Sequence, residues 1–192
     1  MGTTKEEKVG TGMPIKWLST LRAALAVKRC HTHQIIGEYT VGQHTINMLG
    51  IMYQLTEDQP STIQNTLARA ILVHDVPEVY TGDNPTHPKV DFPELKEVLA
   101  RIETQWCLDN LPPAFRDLEA EPYLQKILKS CDLLEFMFWC KDQRALGNMT
   151  VDAQFVKAFT YLKPYEKVVA GVSEIADALS MSYPHSNNPT RR

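Results

Sequence analysis

An apolar run, Ala70-Ile71-Leu72-Val73, leads directly into a histidine and a carboxylate, His74-Asp75. That junction restricts the folds open to the chain. Burying an unpaired carboxylate is costly or shifts its pKa until it neutralises. A divalent metal ion removes the cost, because neutral His and ionised Asp are both good ligands. His-Asp pairs are common by chance, so the reading depends on finding further ligands elsewhere in the chain.

The surrounding pattern is helical almost throughout. Trp17, Leu18, Leu21, Leu25 and Val27 suggest a first helix, followed by the polar stretch KRCHTHQIIGEY. A second helix is predicted from about Val41 to Leu55, and a third from Ser61, read as its N-cap, to His74. Gly82, Pro85, Pro88 and Pro93 make Tyr80 to Pro93 a loop. Further helices are expected at about 93–110, 121–147 and 164–181, with a shorter one near 151–160. No strand alternation longer than a few residues and no internal repeat occurs. The expected class is all-α, with one domain over 13–181, a disordered segment at 1–12 and a flexible tail at 182–192.

Composition sets outer limits. The formal charge of -3 gives no global pull toward polynucleotide or anionic membrane, so an anionic substrate must be met by local Lys and Arg. No apolar stretch reaches the roughly 18 residues of a membrane span, and the charged start lacks a secretory apolar region. Cys30, Cys107, Cys131 and Cys140 form no Cys-x-x-Cys pair, which fits a reducing cytoplasm.

Three apolar helices each carry an unexpected polar residue: His44 in the second, His74-Asp75 ending the third, and Asp132 within ILKSCDLLEFMFWC. Each has an ordinary alternative. A lone helical His is usually a hydrogen-bonded core or boundary residue. Asp132 could lie on a solvated face with Lys129 and Glu135 by helical spacing.

Together, the order His, His-Asp, Asp on helices resembles the HD-domain metal-dependent phosphohydrolases. The resemblance sharpens toward the bacterial 5'-deoxynucleotidase branch and related viral deoxynucleotide triphosphohydrolases. VGQHT around His44 is similar to that branch's V-x-E-H-S. HDVPEVYTGDNPTHPK, from His74 to Lys89, resembles H-D-x-x-E-x-x-T-G-D-x-P-T-P-x-K with one residue inserted between Thr86 and Pro88. Lys129, Asp132 and Gly147-Asn148 match the branch's K-x-x-D and G-N, so the resemblance covers about Lys28 to Asn148.

The resemblance implies that His44, His74, Asp75 and Asp132 hold one divalent metal. Two imidazoles and two carboxylates balance the charge of such an ion. Their chemistry suits Mn, Co, Zn, Ni or Fe, and Mg less well. It also implies hydrolysis of a nucleotide's 5' phosphoester by metal-activated water. Glu78, four residues after His74, matches the general acid or base, and Asp83 the T-G-D aspartate that helps position substrate or water. Asp83 could instead cap its own turn beside Gly82. Arg29 and Lys89 are the phosphate-binding candidates, Arg as a bidentate partner and Lys as a point charge.

The chain departs from the branch after Arg29. A tryptophan there crowds the sugar and excludes a 2'-hydroxyl, whereas this chain has Cys30, then His31, Thr32 and His33. Either His31 or His33 takes over, or discrimination against ribose is relaxed. The two histidines could suggest a second metal site, but no nearby residue completes a set; base or phosphate contact, or exposure, is favoured. His87 is read as exposed.

The expected substrate is a small nucleotide, yielding nucleoside with phosphate from a monophosphate or with triphosphate from a triphosphate, dATP being favoured. A silent HD-type nucleotide sensor and another HD phosphodiesterase are the rivals. A ferritin-like di-iron bundle would need Glu-x-x-His pairs, and the sequence has none. A homo-oligomer in the cytoplasm, the host's if the chain is viral, is expected. Val151, Phe155, Phe159, Tyr161, Val168 and Val169 could serve core or interface.

Overall fold

The computed structural model describes residues 13–116 and 121–183, except the side chains of residues 13, 14, 86 and 87. Segment 1–12 and the tail beyond 183 lie outside the described residues. Nine α-helices are present among them: α1 (Met13–Leu25), α2 (Val41–Leu55), α3 (Ser61–Val73), α4 (Glu78–Thr81), α5 (Thr86–Asp91), α6 (Pro93–Asn110), α7 (Pro122–Ala145), α8 (Asp152–Leu162) and α9 (Val172–Ser182). Short 3-10 turns cover Pro113–Phe115 and Met149–Val151. The extended pairing among these residues is a single isolated bridge between Lys28 and Thr40. No described helix is long and apolar enough to cross a membrane.

The 24-residue α7 is the axis of the fold. Its buried positions include Leu124, Ile127, Leu128, Cys131, Leu134 and Met137 on one side and Leu133, Trp139 and Cys140 around it. A helix buried on more than one face must be enclosed by others, and α2, α3, α8 and α9 all pack against it. On α2 the buried residues Val41, His44, Thr45, Met48 and Met52 follow helical spacing. A capping box starts that helix: the Thr40 side chain accepts from Gln43 N–H, and the Gln43 side chain accepts from Thr40 N–H. Gly42 permits the close approach of α1, since a Cβ there would lie 2.9 Å from the Leu25 carbonyl oxygen. A smaller cluster, Ala24, Val73, Val76 and Leu111, joins α1 to the region after α3, with Trp17, Trp106 and Phe115 packed around it.

Several boundaries differ from the sequence expectation. Pro60, not Ser61, occupies the N-cap of α3, and no side chain caps it. The segment read as a loop at 80–93 contains α5. Pro88 is tolerated there because it falls in the first turn, where a missing N–H forfeits no intrahelical bond. Helix α9 begins at Val172, not near 164. Pro164 cannot donate to continue α8, and Gly171 adopts a left-handed φ of 80° immediately before α9. At the far end, Ser182 completes α9, and Tyr183 is buried, stacked on Phe155 and donating to Asp152 at 2.8 Å. Of the residues open to core or interface, Val151, Phe155 and Val169 are core, whereas Tyr161 and Val168 are exposed.

Candidate active site

Three elements deliver the polar residues to one place. His44 lies in the second turn of α2 and is fully buried. His74 and Asp75 follow the last residue of α3, where His74 keeps helical backbone angles. Asp132 lies in the middle of α7. Ligand atoms of His44, His74 and Asp75 all lie within 4.8 Å of one another. His74 Nε2 is 3.1 Å and His44 Nε2 3.7 Å from Asp75 Oδ2. Asp132 stands beside this group, its Oδ1 3.4 Å from His44 Nε2, while its Oδ2 accepts from Lys129 Nζ at 2.6 Å.

The hydrogen bonds behind the two imidazoles decide what they present. His74 Nδ1 lies 2.6 Å from the Ile71 carbonyl oxygen, which can only accept, so Nδ1 carries the proton. His44 Nδ1 lies 2.5 Å from Glu135 Oε2, an arrangement that protonates Nδ1 in the same way. In the neutral imidazoles both Nε2 atoms are therefore lone pairs, and both are buried without a hydrogen-bond partner. Two orphaned ring nitrogens converging on a carboxylate fit a divalent cation. His44, His74 and Asp75 would hold it, with Asp132 at hand as a fourth ligand. Among the described residues no second group of this kind is found, so His31 and His33 do not form one.

Charge around the site is strongly coupled. Burial opposes ionisation of Asp75, but His74 and Arg29 outweigh it and hold the carboxyl below its usual range. Burial likewise opposes ionisation of Asp132 and is outweighed first by Lys129. For the imidazoles, burial disfavours the charged form, yet neighbouring carboxylates raise both above the ordinary histidine range. Protons therefore compete with a metal for these nitrogens.

The remaining sequence candidates surround this centre. Arg29 forms a close ion pair with Asp75 and lies over the Tyr39 ring. Burial, reinforced by the Asp75 charge, pushes Glu78 up to about 9, and its Oε2 is buried without a partner. Asp83 reaches across to the 28–40 segment: its Oδ2 accepts the Cys30 N–H at 2.7 Å and lies 3.8 Å from His31 Nδ1. Cys30 itself has a left-handed φ of 55°, uncommon for a residue with a Cβ. Burial pushes its thiol up to about 12. Arg29, Cys30, Asp83, Lys89 and Asp132 all line one cavity of about 670 Å³. The His87 side chain lies outside those described.

Glu135 belongs to the site although its spacing from Asp132 suggested a solvated face. It is 1% exposed and accepts from Tyr39 Oη, His44 Nδ1 and Asn47 Nδ2. The signal was its setting: Leu133, Leu134, Phe136 and Met137 flank it, and Cys131 and Trp139 stand one turn away on either side. Glu135→Ala is expected to weaken divalent-metal binding about 10- to 100-fold, as loss of a partner orienting a ligating imidazole does. Calorimetric titration of metal-stripped protein measures this. Glu135→Gln, which retains an acceptor, should recover part of the affinity; equal affinity in all three proteins would remove Glu135 from the site.

Comparison with known proteins places these features in context. Residues 16–168 match the family described as 5'-deoxynucleotidase YfbR-like. A dATP triphosphohydrolase of cyanophage S-2L is 40% identical over 96 residues, 47% of this chain and 50% of that protein. The chain thus aligns with about half the length of this curated relative. Among solved structures, the cyanophage S-2L HD phosphohydrolase DatZ, bound to dA and one catalytic Zn²⁺ ion, superposes with a TM-score of 0.62. That likeness is one of fold, at 22% identity, covering 86% of this chain and 92% of that one. With its all-α HD architecture and a family match spanning most of its length, the chain belongs to the YfbR-like 5'-deoxynucleotidase family.

Proposed function

We propose that this protein is a metal-dependent phosphohydrolase that cleaves the 5' phosphoester of deoxynucleotides, with a deoxynucleoside triphosphate, dATP first, as substrate. The observation that carries the reading is the pair of buried, unpartnered Nε2 atoms of His44 and His74 meeting at Asp75. A divalent ion held there would lower the pKa of water and polarise a phosphoryl oxygen.

The chain's own residues supply the rest. Arg29, Lys89, Lys96, Lys129 and Lys157 line the cavity, against the carboxylates Asp83 and Asp132. Arg29 and Lys129 already pair with Asp75 and Asp132, so a bound phosphate chain would share these cations with the site's own carboxylates. Glu78, half-buried with its Oε2 enclosed, manages the proton as water oxygen bonds to phosphorus and the bond to the 5'-oxygen breaks. The nucleoside leaves with its 5'-oxygen, and the phosphate chain leaves intact. Asp83 fixes the Arg29-Cys30 turn through the Cys30 N–H, so it positions the phosphate-binding arginine. The dATP triphosphohydrolase relative supports the triphosphate, while the family's deoxynucleotidase description favours a monophosphate.

A panel of ribo- and deoxynucleotide mono-, di- and triphosphates, with Mn²⁺, Co²⁺ and Zn²⁺, separates these. The expected products from dATP are deoxyadenosine and inorganic triphosphate. Release of orthophosphate from dAMP alone would move the assignment to the monophosphate, and no release from any nucleotide would leave a silent sensor.

Sugar selection provides a second test. Cys30 occupies the cavity wall where the branch has tryptophan, and its side chain is far smaller. Cys30→Trp introduces no new backbone penalty, because both residues carry a Cβ at the same left-handed φ. The variant is expected to lower ribonucleotide turnover relative to deoxynucleotide by about tenfold, read as a ratio of kcat/KM values. An unchanged ratio would put sugar discrimination elsewhere.

A further inference from the structure

Beyond the phosphate end, the same cavity has a wall of a different character. Leu133, Phe136, Ala158 and Tyr161 supply apolar and aromatic surface, the kind on which a flat heterocycle stacks. One polar group in this wall has no assigned role. Gln154, on α8, lines the cavity, and its Oε1 is buried without a hydrogen-bond partner. Buried amide oxygens are seldom left unpaired without a reason.

The other end of that amide is held. Gln154 Nε2 lies 3.4 Å from His33 Nδ1, and His33 lines the cavity too. With Nδ1 accepting, one Nε2 hydrogen is committed to His33, leaving Oε1 as a free acceptor and the second Nε2 hydrogen as a free donor. An acceptor beside a donor on a planar amide complements an exocyclic amino group beside a ring nitrogen. Adenine offers that pair, and cytosine offers it on one ring. A base with an oxo group there would set oxygen against Oε1.

We infer that Gln154, oriented by His33, reads the nucleobase and selects bases carrying an amino group, adenine foremost, over their oxo counterparts. This rests on the nucleotide-hydrolase reading above and adds the part of the substrate that the metal and phosphate residues do not contact. It also gives His33 a task other than ligating a metal: fixing which way the amide faces.

The test compares kcat/KM for dATP, dITP and the 6-unsubstituted purine deoxynucleoside triphosphate in three proteins. The wild-type enzyme should prefer dATP over both analogues by roughly tenfold to a hundredfold, as expected for one bidentate amide–base pair. Gln154→Leu should bring both ratios toward one. His33→Ala frees the amide to rotate, so it should reduce the dATP to dITP ratio while retaining preference over the unsubstituted purine. The split between two ratios is a signature that a loosened fold would not produce. Wild-type hydrolysis without discrimination, or a Gln154→Leu protein with both ratios intact, overturns the inference and leaves the hydrolase reading standing. Failure of the wild-type protein to hydrolyse any nucleotide overturns both.

Discussion

Asp132→Ala is expected to abolish nucleotide hydrolysis and reduce divalent-metal affinity by well over about 100-fold, more than loss of an outer-sphere partner costs. Two effects combine. The substitution removes the carboxylate 3.4 Å from His44 Nε2, one of two negative charges available to balance a divalent ion. It also strips Lys129 of the carboxylate it donates to at 2.6 Å, leaving an ammonium near the cation site without compensation. The core should survive, because the Asp132 side chain is 25% exposed and contributes no apolar packing. Metal content by mass spectrometry, with circular dichroism as a folding control, reads the first effect. Asp132→Asn, which keeps the shape without the charge, should be nearly as defective. An alanine variant with full metal content and rate would sink the ligand assignment for Asp132 and leave a three-residue centre.

How much of this the sequence carried differs from element to element. Helices α2 and α6 fall where the sequence reading placed them, at about 41–55 and 93–110, the first capped by Thr40 and the second opened by Pro93. The region 164–171 was not legible, since its apolar residues serve a turn that Gly171 reverses. His44, His74, Asp75 and Asp132 stood out because each interrupts an apolar helix. Glu135 interrupts one too, but a carboxylate three residues from another reads as a shared solvated face. Only the enclosure of α7 on several sides turns that face inward.

The substrate end was least legible because long-range bonds set its shape. The 28–40 segment is anchored by Gln143, whose amide pairs with the Ile36 N–H and carbonyl, each at 2.8 Å. Asn148 donates to the Gln34 carbonyl at 2.8 Å, and Asp83 holds Cys30. None of those partners is near in sequence. Gln154 and His33 meet for the same reason, 121 residues apart.

Glu78→Gln should separate binding from chemistry. Glutamine has nearly the same volume and keeps an oxygen acceptor, so the α4 turn that begins at residue 78 is retained. What it loses is a group that can exchange a proton. Loss of a positioned acid or base lowers turnover by about 10²- to 10⁴-fold, and that is the expected fall in kcat. Metal content should stay at wild-type level, because Glu78 is not among the residues whose ligand atoms cluster at the centre. KM for dATP should change little, since the cations of the cavity are untouched. The stability cost should be small as well. Glu78 Oε2 already lies buried without a partner, and burial beside the Asp75 charge keeps the carboxyl protonated at neutral pH, so a neutral amide replaces a group that is already neutral. A variant that loses metal together with activity would recast Glu78 as a ligand. One that keeps more than about a tenth of wild-type kcat would assign the proton transfer to another group.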